Sequence, residues 1–324
     1  MGWGSRMSID GMRVYIPGHT GMVGSALLAR LTENKTVTLI TASHQALDLC
    51  NQAAVDAFFA REKPQVVIMA AGVVGGIIEN RDHPGDFIHD NLAMQLNLMA
   101  AARRQGVVRF IFLASSCMYP RQTAQPMAES QLFSGPMEPT SQAYAVAKLA
   151  GLQMCLAFNQ QARCNRFIPL IPNTIYGPHD NFELASGHVL PVLIRRFSQA
   201  KQAQSDTLTL WGSGRPVREF IYVDDVVAAI LLILNQPQEE LQPPYNIGHG
   251  EGVSIAELAA KIATVVGFSG AILWDKSKPD GVAKKVLDGS RLQQLGWQHQ
   301  TSLDEGIVKS VAWFKESLNK LIAG

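Results

Sequence analysis

The stretch from Met12 to Leu31 limits the possible folds more than any other part of this chain. Met12-Arg-Val-Tyr-Ile-Pro17 is a short apolar run suited to a strand, and Ser25-Ala-Leu-Leu-Ala-Arg-Leu31 has the make-up of a helix. Between them lies Gly18-His19-Thr20-Gly21-Met22-Val23-Gly24. Glycines at this spacing are weak evidence alone, but between strand and helix they form a phosphate cradle. They allow the tight turn and close backbone approach, and the first-turn N–H groups of the helix face a diphosphate. The residues predict a dinucleotide site formed by Gly18, Thr20, Gly21, Met22, Val23 and Gly24.

Beyond Leu31 the chain reads as alternating strands and helices. A second strand, Thr36 to Thr41, ends in Ala42-Ser43-His44. No Asp or Glu stands at its tip, where NAD enzymes hold the adenosine ribose, so NADP is favoured over NAD, with His44 a candidate contact. Asp48 reads either as an adenine-side contact or as a helix cap. The third strand, Gln65 to Gly72, ends in small residues, Ala70 and Ala71, over which a cofactor could lie. A helix from about Phe87 to Gln105 carries Asn91, which reads as a brace for the site or as a structural residue. Strands follow at Arg109–Cys117, ending in hydroxyls, and at Arg166–Pro172, with a helix to about Gln161 between them. The expected fold class is α/β: a Rossmann-type doubly wound parallel sheet with a smaller C-terminal α/β substrate domain. The alternation breaks after Pro172. The expected division is therefore 12–172 plus 222–248 for the NAD(P)-binding part and 173–221 plus 249–324 for the substrate part, with the active site in the cleft between them.

Composition narrows the class. A net charge of +1 with 17% charged residues gives no nucleic-acid tract or polybasic membrane surface. With no eighteen-residue uncharged apolar run, no membrane span is expected. Residues Met1 to Ser8 lack an apolar signal core and read as a short disordered lead-in, so the expected compartment is the cytoplasm. The 4 cysteines (Cys50, Cys117, Cys155, Cys164) lack paired or metal-ligand spacing and should be reduced, with no metal bound.

Chemistry points to the helix with Ala143-Tyr144-Ala-Val-Ala-Lys148. Positions four apart share a helix face, so the Lys148 ammonium should lie near the Tyr144 phenol and lower its pKa from about 10. Tyr-x-x-x-Lys also recurs by chance on helix surfaces. Upstream, a buried strand runs into Ser115-Ser116-Cys117. Downstream, Trp211-Gly-Ser-Gly-Arg215-Pro-Val-Arg218 reads as a loop for a polar ligand or as a solvated turn, and Ser277 to Lys285 as another basic loop. Tyr222-Val-Asp224-Asp225 reads as a helix start with an acidic cap.

These phrases together resemble the extended short-chain dehydrogenase/reductases, and within them the GDP-L-fucose synthase family. Gly-His-Thr-Gly-Met-Val-Gly-Ser, Ser115-Ser-Cys-Met-Tyr-Pro, Tyr176-Gly-Pro-His-Asp-Asn-Phe, His188-Val-Leu-Pro, Leu210-Trp-Gly-Ser-Gly and Ser277-Lys-Pro-Asp-Gly carry the likeness, which runs from Met12 to Phe314. The resemblance implies Ser115, Tyr144 and Lys148 as a reductase triad, with Cys117 and His188 as an epimerisation pair. It implies Arg196, Trp211, Arg218, Asp280 and Lys285 around a GDP-sugar substrate, and Asn173 on the cofactor side. It further implies NADPH-dependent epimerisation at C3 and C5 of GDP-4-keto-6-deoxy-mannose, reduction at C4, and a homodimer through the Tyr144 helix. An imidazolium beside Cys117 would lower its pKa. Two departures concern the cofactor, since Thr20 and His44 stand where the family usually has arginines. A third is Ser186-Gly187 before His188. A 4,6-dehydratase needs an Asp-Glu pair where this chain has Ser116-Cys117-Met118 and is rejected. A reductase with one or no epimerisation (colitose-type or heptose-type) stays open, as does a redox-sensing binder that holds NADP without turnover.

Overall fold

The computed structural model describes residues 8–278 and 280–323. Residues 1–7, on which the lead-in reading falls, lie outside the described residues, as do Pro279 of the Ser277-Lys-Pro-Asp-Gly phrase and Gly324. In chain order, β1 (Arg13–Tyr15), α1 (Met22–Thr32), β2 (Thr38–Ile40), α2 (Gln52–Glu62), β3 (Val66–Met69), α3 (Ile77–Asp82) and α4 (Pro84–Arg104) lead to β4 (Arg109–Leu113). Then come α5 (Gln142–Ala162), β5 (Phe167–Pro172), β6 (Thr174–Tyr176), α6 (Val189–Gln202), β7 (Thr207–Trp211), β8 (Val217–Arg218), β9 (Phe220–Tyr222) and α7 (Val223–Leu234). The chain closes with β10 (Tyr245–Ile247), β11 (Val253–Ser254), α8 (Ile255–Val266), β12 (Ala271–Asp275), β13 (Lys284–Lys285), α9 (Ser290–Gln294) and α10 (Leu303–Ala323).

Six strands form one parallel sheet in the order β10-β5-β4-β3-β1-β2. Every residue of β3, β4 and β5 is buried, as a parallel sheet covered on both faces requires. Alternate residues point to opposite faces. Val14, Val66, Ile68 and Ile111 join Leu27 of α1 and Ile230 of α7 in one apolar layer. Tyr15, Val67, Met69, Phe110 and Phe112 join Val55, Leu98 and Leu152 of α2, α4 and α5 in the other. The doubly wound parallel sheet read from the sequence is present.

α5 seats tightly because position 151 has no side chain. A Cβ on Gly151 would lie 2.5 Å from Phe112 Cζ and 2.6 Å from Gln95 Oε1. Gln95 Nε2 instead donates to the Ala147 carbonyl at 2.6 Å, pinning α4 to α5. This seating puts Tyr144 and Lys148 over the end of β4.

Beyond β5 the chain forms small pairings that the sequence reading did not predict. β6 pairs with β9, β7 with β12, and β8 with both β11 and β13. The expected acidic helix start is present: Tyr222 is the N-cap of α7, and Asp224 and Asp225 lie in its first turn, where buried Asp225 also accepts from Gln300 N (2.8 Å) and Thr301 N (3.1 Å) at the approach to α10. One assignment is corrected. The cap of α2 is Asn51, which accepts from Ala54 N at 3.0 Å, whereas Asp48 closes a local turn onto Cys50 N.

Glu219, fully buried, ties these segments to the main sheet. Its carboxylate accepts from Asn173 Nδ2 (2.5 Å), His249 N (2.6 Å), Gly250 N (2.8 Å) and Leu287 N (2.9 Å). Removing it strands four donors in the interior, so Glu219→Ala should lose about 3 kcal/mol of stability in urea unfolding. An unfolding midpoint equal to the parent's would show that the carboxylate is not the tie described.

Candidate active site

Gly18 takes φ +84°, in the left-handed region open to glycine, and a Cβ there would lie 2.5 Å from Ala71 N. A Cβ on Gly24 would overlap the Gly18 carbonyl. The turn thus lies directly on the Ala70-Ala71 end of β3, at the start of α1. Gly21, the N-cap, supplies no side-chain acceptor, so the first-turn N–H groups of α1 remain for an anion. These features fit a dinucleotide diphosphate. Thr20 and His44 are exposed beside the cradle and Met22 is half-buried, whereas Val23 and Gly24 are buried and could offer a ligand only backbone. Asn91 is the brace for the loop after β3: it accepts from Val73 N (3.1 Å) and donates to Val73 O (2.9 Å) and Phe87 O (2.8 Å).

Lys148 Nζ donates to the Leu113 carbonyl at 3.0 Å and lies 5.8 Å from the Tyr144 ring centroid. A Cβ on Gly72 would lie 3.4 Å from the same ammonium, so the cradle and the catalytic helix meet at Lys148. Burial pushes Lys148 down to about 8. Tyr144 corrects the sequence expectation. Burial raises its phenol, negative charge on Cys117 raises it further, and a hydrogen bond with Ser115 lowers it too little to offset them. The phenol is therefore a protonated donor near neutral pH. Ser115, half-buried, accepts from Cys117 N at 3.2 Å and fixes the short turn that presents the thiol.

Lys285 Nζ stands 3.3 Å from Cys117 Sγ. Burial alone would push this thiol up, but the Lys285 charge and hydrogen bonds from Ser115, Lys285 and Ser141 outweigh it, and the net direction is down. The cation at the thiol is thus an ammonium, not the imidazolium expected from the sequence. His188 is itself held below the usual histidine value, by burial first and then by Lys285. It occupies the N-cap position of α6. At the Ser186-Gly187 departure, a Cβ on Gly187 would overlap the Asn181 carbonyl, and Gly76 N donates to the Ser186 carbonyl at 2.9 Å.

The proposed substrate residues are connected through the small strand pairings. Lys285 sits opposite Arg218 in the β13–β8 register. Arg196 Nη2 donates to Thr209 O at 2.6 Å, two residues before Trp211, which is 60% exposed at the end of β7. Asp280 accepts from Ser213 N (2.8 Å) and Oγ (2.6 Å), so its carboxylate joins two loops rather than being left free for a ligand. Asn173, read as a cofactor contact, is instead buried and committed inside the protein: it donates to Glu219 and to Lys285 O (3.3 Å) and accepts from Ser116 Oγ (3.3 Å). Among the described residues no three His, Cys, Asp or Glu side chains are grouped to hold a metal ion, and no helix is long and apolar enough to cross a membrane.

This arrangement, a dinucleotide cradle beside a tyrosine–lysine pair and an ionisable thiol, defines a nucleotide-dependent short-chain oxidoreductase or epimerase. The chain belongs to the NAD dependent epimerase/dehydratase family, which matches residues 14–248. It is 42% identical to the GDP-L-fucose synthase of Escherichia coli (strain K12), over 95% of this chain and 98% of that protein. It is 44% identical to the probable GDP-L-fucose synthase 1 of Oryza sativa subsp. japonica, over 97% of this chain and 95% of that one. The crystal structure of a GDP-L-fucose synthetase from Naegleria fowleri bound to NADP superposes with a TM-score of 0.89 at 27% identity, covering 98% of this chain and 97% of that one.

The loop leading to His188 also carries Asp180, whose carboxyl is raised by burial to about 7. Between the usual carboxylate range and pH 7 the folded state therefore holds a proton that the unfolded state has released, so this group's contribution to stability falls as pH rises through that window. Asp180→Asn should remove that slope, with a gain on the order of 2–4 kcal/mol at pH 8 and almost none at pH 4. Thermal unfolding at pH 4, 6 and 8 checks this, and a constant difference between variant and parent would contradict it.

Proposed function

We propose that this chain is an NADPH-dependent epimerase-reductase that converts GDP-4-keto-6-deoxy-mannose to GDP-L-fucose, inverting C3 and C5 and then reducing C4. The observation that carries the reading is the Cys117–Lys285 contact beside the buried Tyr144–Lys148 pair. One site thus holds a base for acidic C–H bonds and a proton donor for a reduced carbonyl.

The 4-keto group acidifies the hydrogens on C3 and C5. Cys117 as thiolate removes one; the C–H electron pair passes to the C4 oxygen, and His188 as imidazolium returns a proton to the opposite face of that carbon. The thiol then gives up its proton to water and the imidazole gains one before the pair serves the second carbon. Ser115 holds the C4 oxygen, and Tyr144 donates its proton to it. Lys148 would hold the nicotinamide ribose beside the cradle, and the dinucleotide, when bound, would supply the hydride for C4. Thr41, Ser43 and His44 lie just past β2 with no carboxylate among residues 41–44, an environment that admits the extra phosphate of NADP. Arg196, Trp211 and Arg218 bind the GDP portion.

The two-part division at 172, 222 and 248 is supported by β10 lying in the main sheet while the small pairings lie outside it. Homodimerisation through α4 and α5 is supported by exposed Leu96 (55%) and Val146 (38%), and a cytoplasmic location by the GDP-sugar substrate. Incubation with GDP-4-keto-6-deoxy-mannose and NADPH in deuterated water should give fucose labelled at C3 and C5 by NMR. Label at one carbon or none, in a reduced product, would assign a colitose-type or heptose-type reductase instead. Tyr144→Phe should lower the rate of reduction 10²–10⁴-fold, on the order expected for general acid catalysis, while NADPH binding and deuterium exchange persist. A variant that reduces at the parent's rate would exclude Tyr144 as the acid and favour a proton donor elsewhere.

A further inference from the structure

We infer that Lys285 is a positioning residue of the epimerisation step, the fixed cation bonded to the Cys117 sulfur that holds this base in place as a thiolate. The inference rests on the proposed function only in taking Cys117 as the base. The contact itself, 3.3 Å from Nζ to Sγ, is a feature of the chain without substrate.

The backbone that carries Lys285 is held from several directions. β13 pairs with β8, Val217 N bonds Ala283 O (2.8 Å) and Glu219 N bonds Lys285 O (3.3 Å). On the other side, Val286 N donates to Gln125 Oε1 (2.9 Å), Met127 N to Val286 O (2.8 Å) and Leu287 N to Glu219 (2.9 Å). The ammonium is therefore delivered to the sulfur by a clamped strand rather than by an exposed loop.

Five groups face the thiol. Ser115 and Ser141 are neutral hydroxyls, Tyr144 is a protonated phenol, and Lys285 and Arg218 are the cations. Arg218 Nη1 is engaged by the Val217 carbonyl at 2.8 Å, which leaves Lys285 as the cation bonded to sulfur. The charge facing His188 is again Lys285. One ammonium therefore favours the thiolate and disfavours the imidazolium. The transfer is balanced: the C–H bond breaks as an S–H bond forms, and a ring N–H bond of His188 breaks as the new C–H bond forms. Lys285 gives up no proton and keeps its charge throughout. An excess of cations at the pair is useful because it makes the imidazolium, when present, a stronger acid toward carbon.

The test begins without substrate. The rate of iodoacetamide alkylation of the parent is followed against pH, with Cys117→Ser as the blank for the other thiols. The parent should show a Cys117 midpoint below the ordinary thiol value of about 8.5. Lys285→Met and Lys285→Gln should raise the midpoint by at least about one pH unit, with roughly tenfold slower alkylation at pH 7, and Lys285→Arg should restore most of the loss. A parent midpoint at or above the ordinary value overturns the inference even if the variants do not fold, and so does a midpoint that Met and Gln leave in place. With GDP-4-keto-6-deoxy-mannose in deuterated water, the bell-shaped pH profile of C3 and C5 exchange should move upward on both limbs in Lys285→Met, because the same charge depresses both groups. A uniform loss of rate with both limbs fixed would reduce Lys285 to a binding residue. A shifted thiol midpoint with no exchange in the parent would defeat the fucose reading and leave the lysine's hold on Cys117 standing.

Discussion

Glu219 is the interaction on which the site's geometry depends. A carboxylate taken out of water is strongly destabilising unless donors replace its hydration. Here the donors come from three distant segments: Asn173 at the end of β5, the His249-Gly250 turn after β10, and Leu287 just past β13. Satisfying one anion therefore fixes the end of the main sheet against the strand that carries Lys285. Asn173 extends the network by accepting from Ser116, the neighbour of Cys117, and donating to the Lys285 carbonyl. Both ends of the thiol–ammonium contact are set by the same buried hydrogen bonds. This makes the contact a consequence of folding rather than of a chance rotamer.

The parts of the fold legible in the sequence are those whose local pattern and tertiary fate agree. β3, β4 and β5 are continuous apolar runs because both faces of the sheet are covered. The glycine turn was legible because only residues without a Cβ can lie against Ala71 and Gly18 as Gly18 and Gly24 do. The small strands from β6 onward have two to five residues, too few to show a period, and their pairing is decided by neighbours remote in sequence. One acidic side chain misled for a related reason. Asp280 looks like a ligand contact, yet it is taken by the N–H and hydroxyl of Ser213, far along the chain.

Site residues were legible as identities but not as environments. The four-residue spacing does bring Lys148 to Tyr144, at 5.8 Å from the ring centroid, but spacing carries no information about burial. Burial dominates both groups, raising the phenol and lowering the ammonium. The reach of Lys285 to Cys117 spans 168 residues and had no local signature at all. A basic loop pointed to phosphate, and the fold turned that lysine toward sulfur.

The resulting charges place two steps of opposite demand in one pocket. Epimerisation needs an ionised thiol, whereas reduction needs a phenol that still has its proton. A thiolate near Tyr144 makes the phenolate less favourable, so the charge required first protects the proton required last. Lys285 keeps the first group charged, and burial keeps the second neutral. Both demands are met by electrostatics already present in the folded chain.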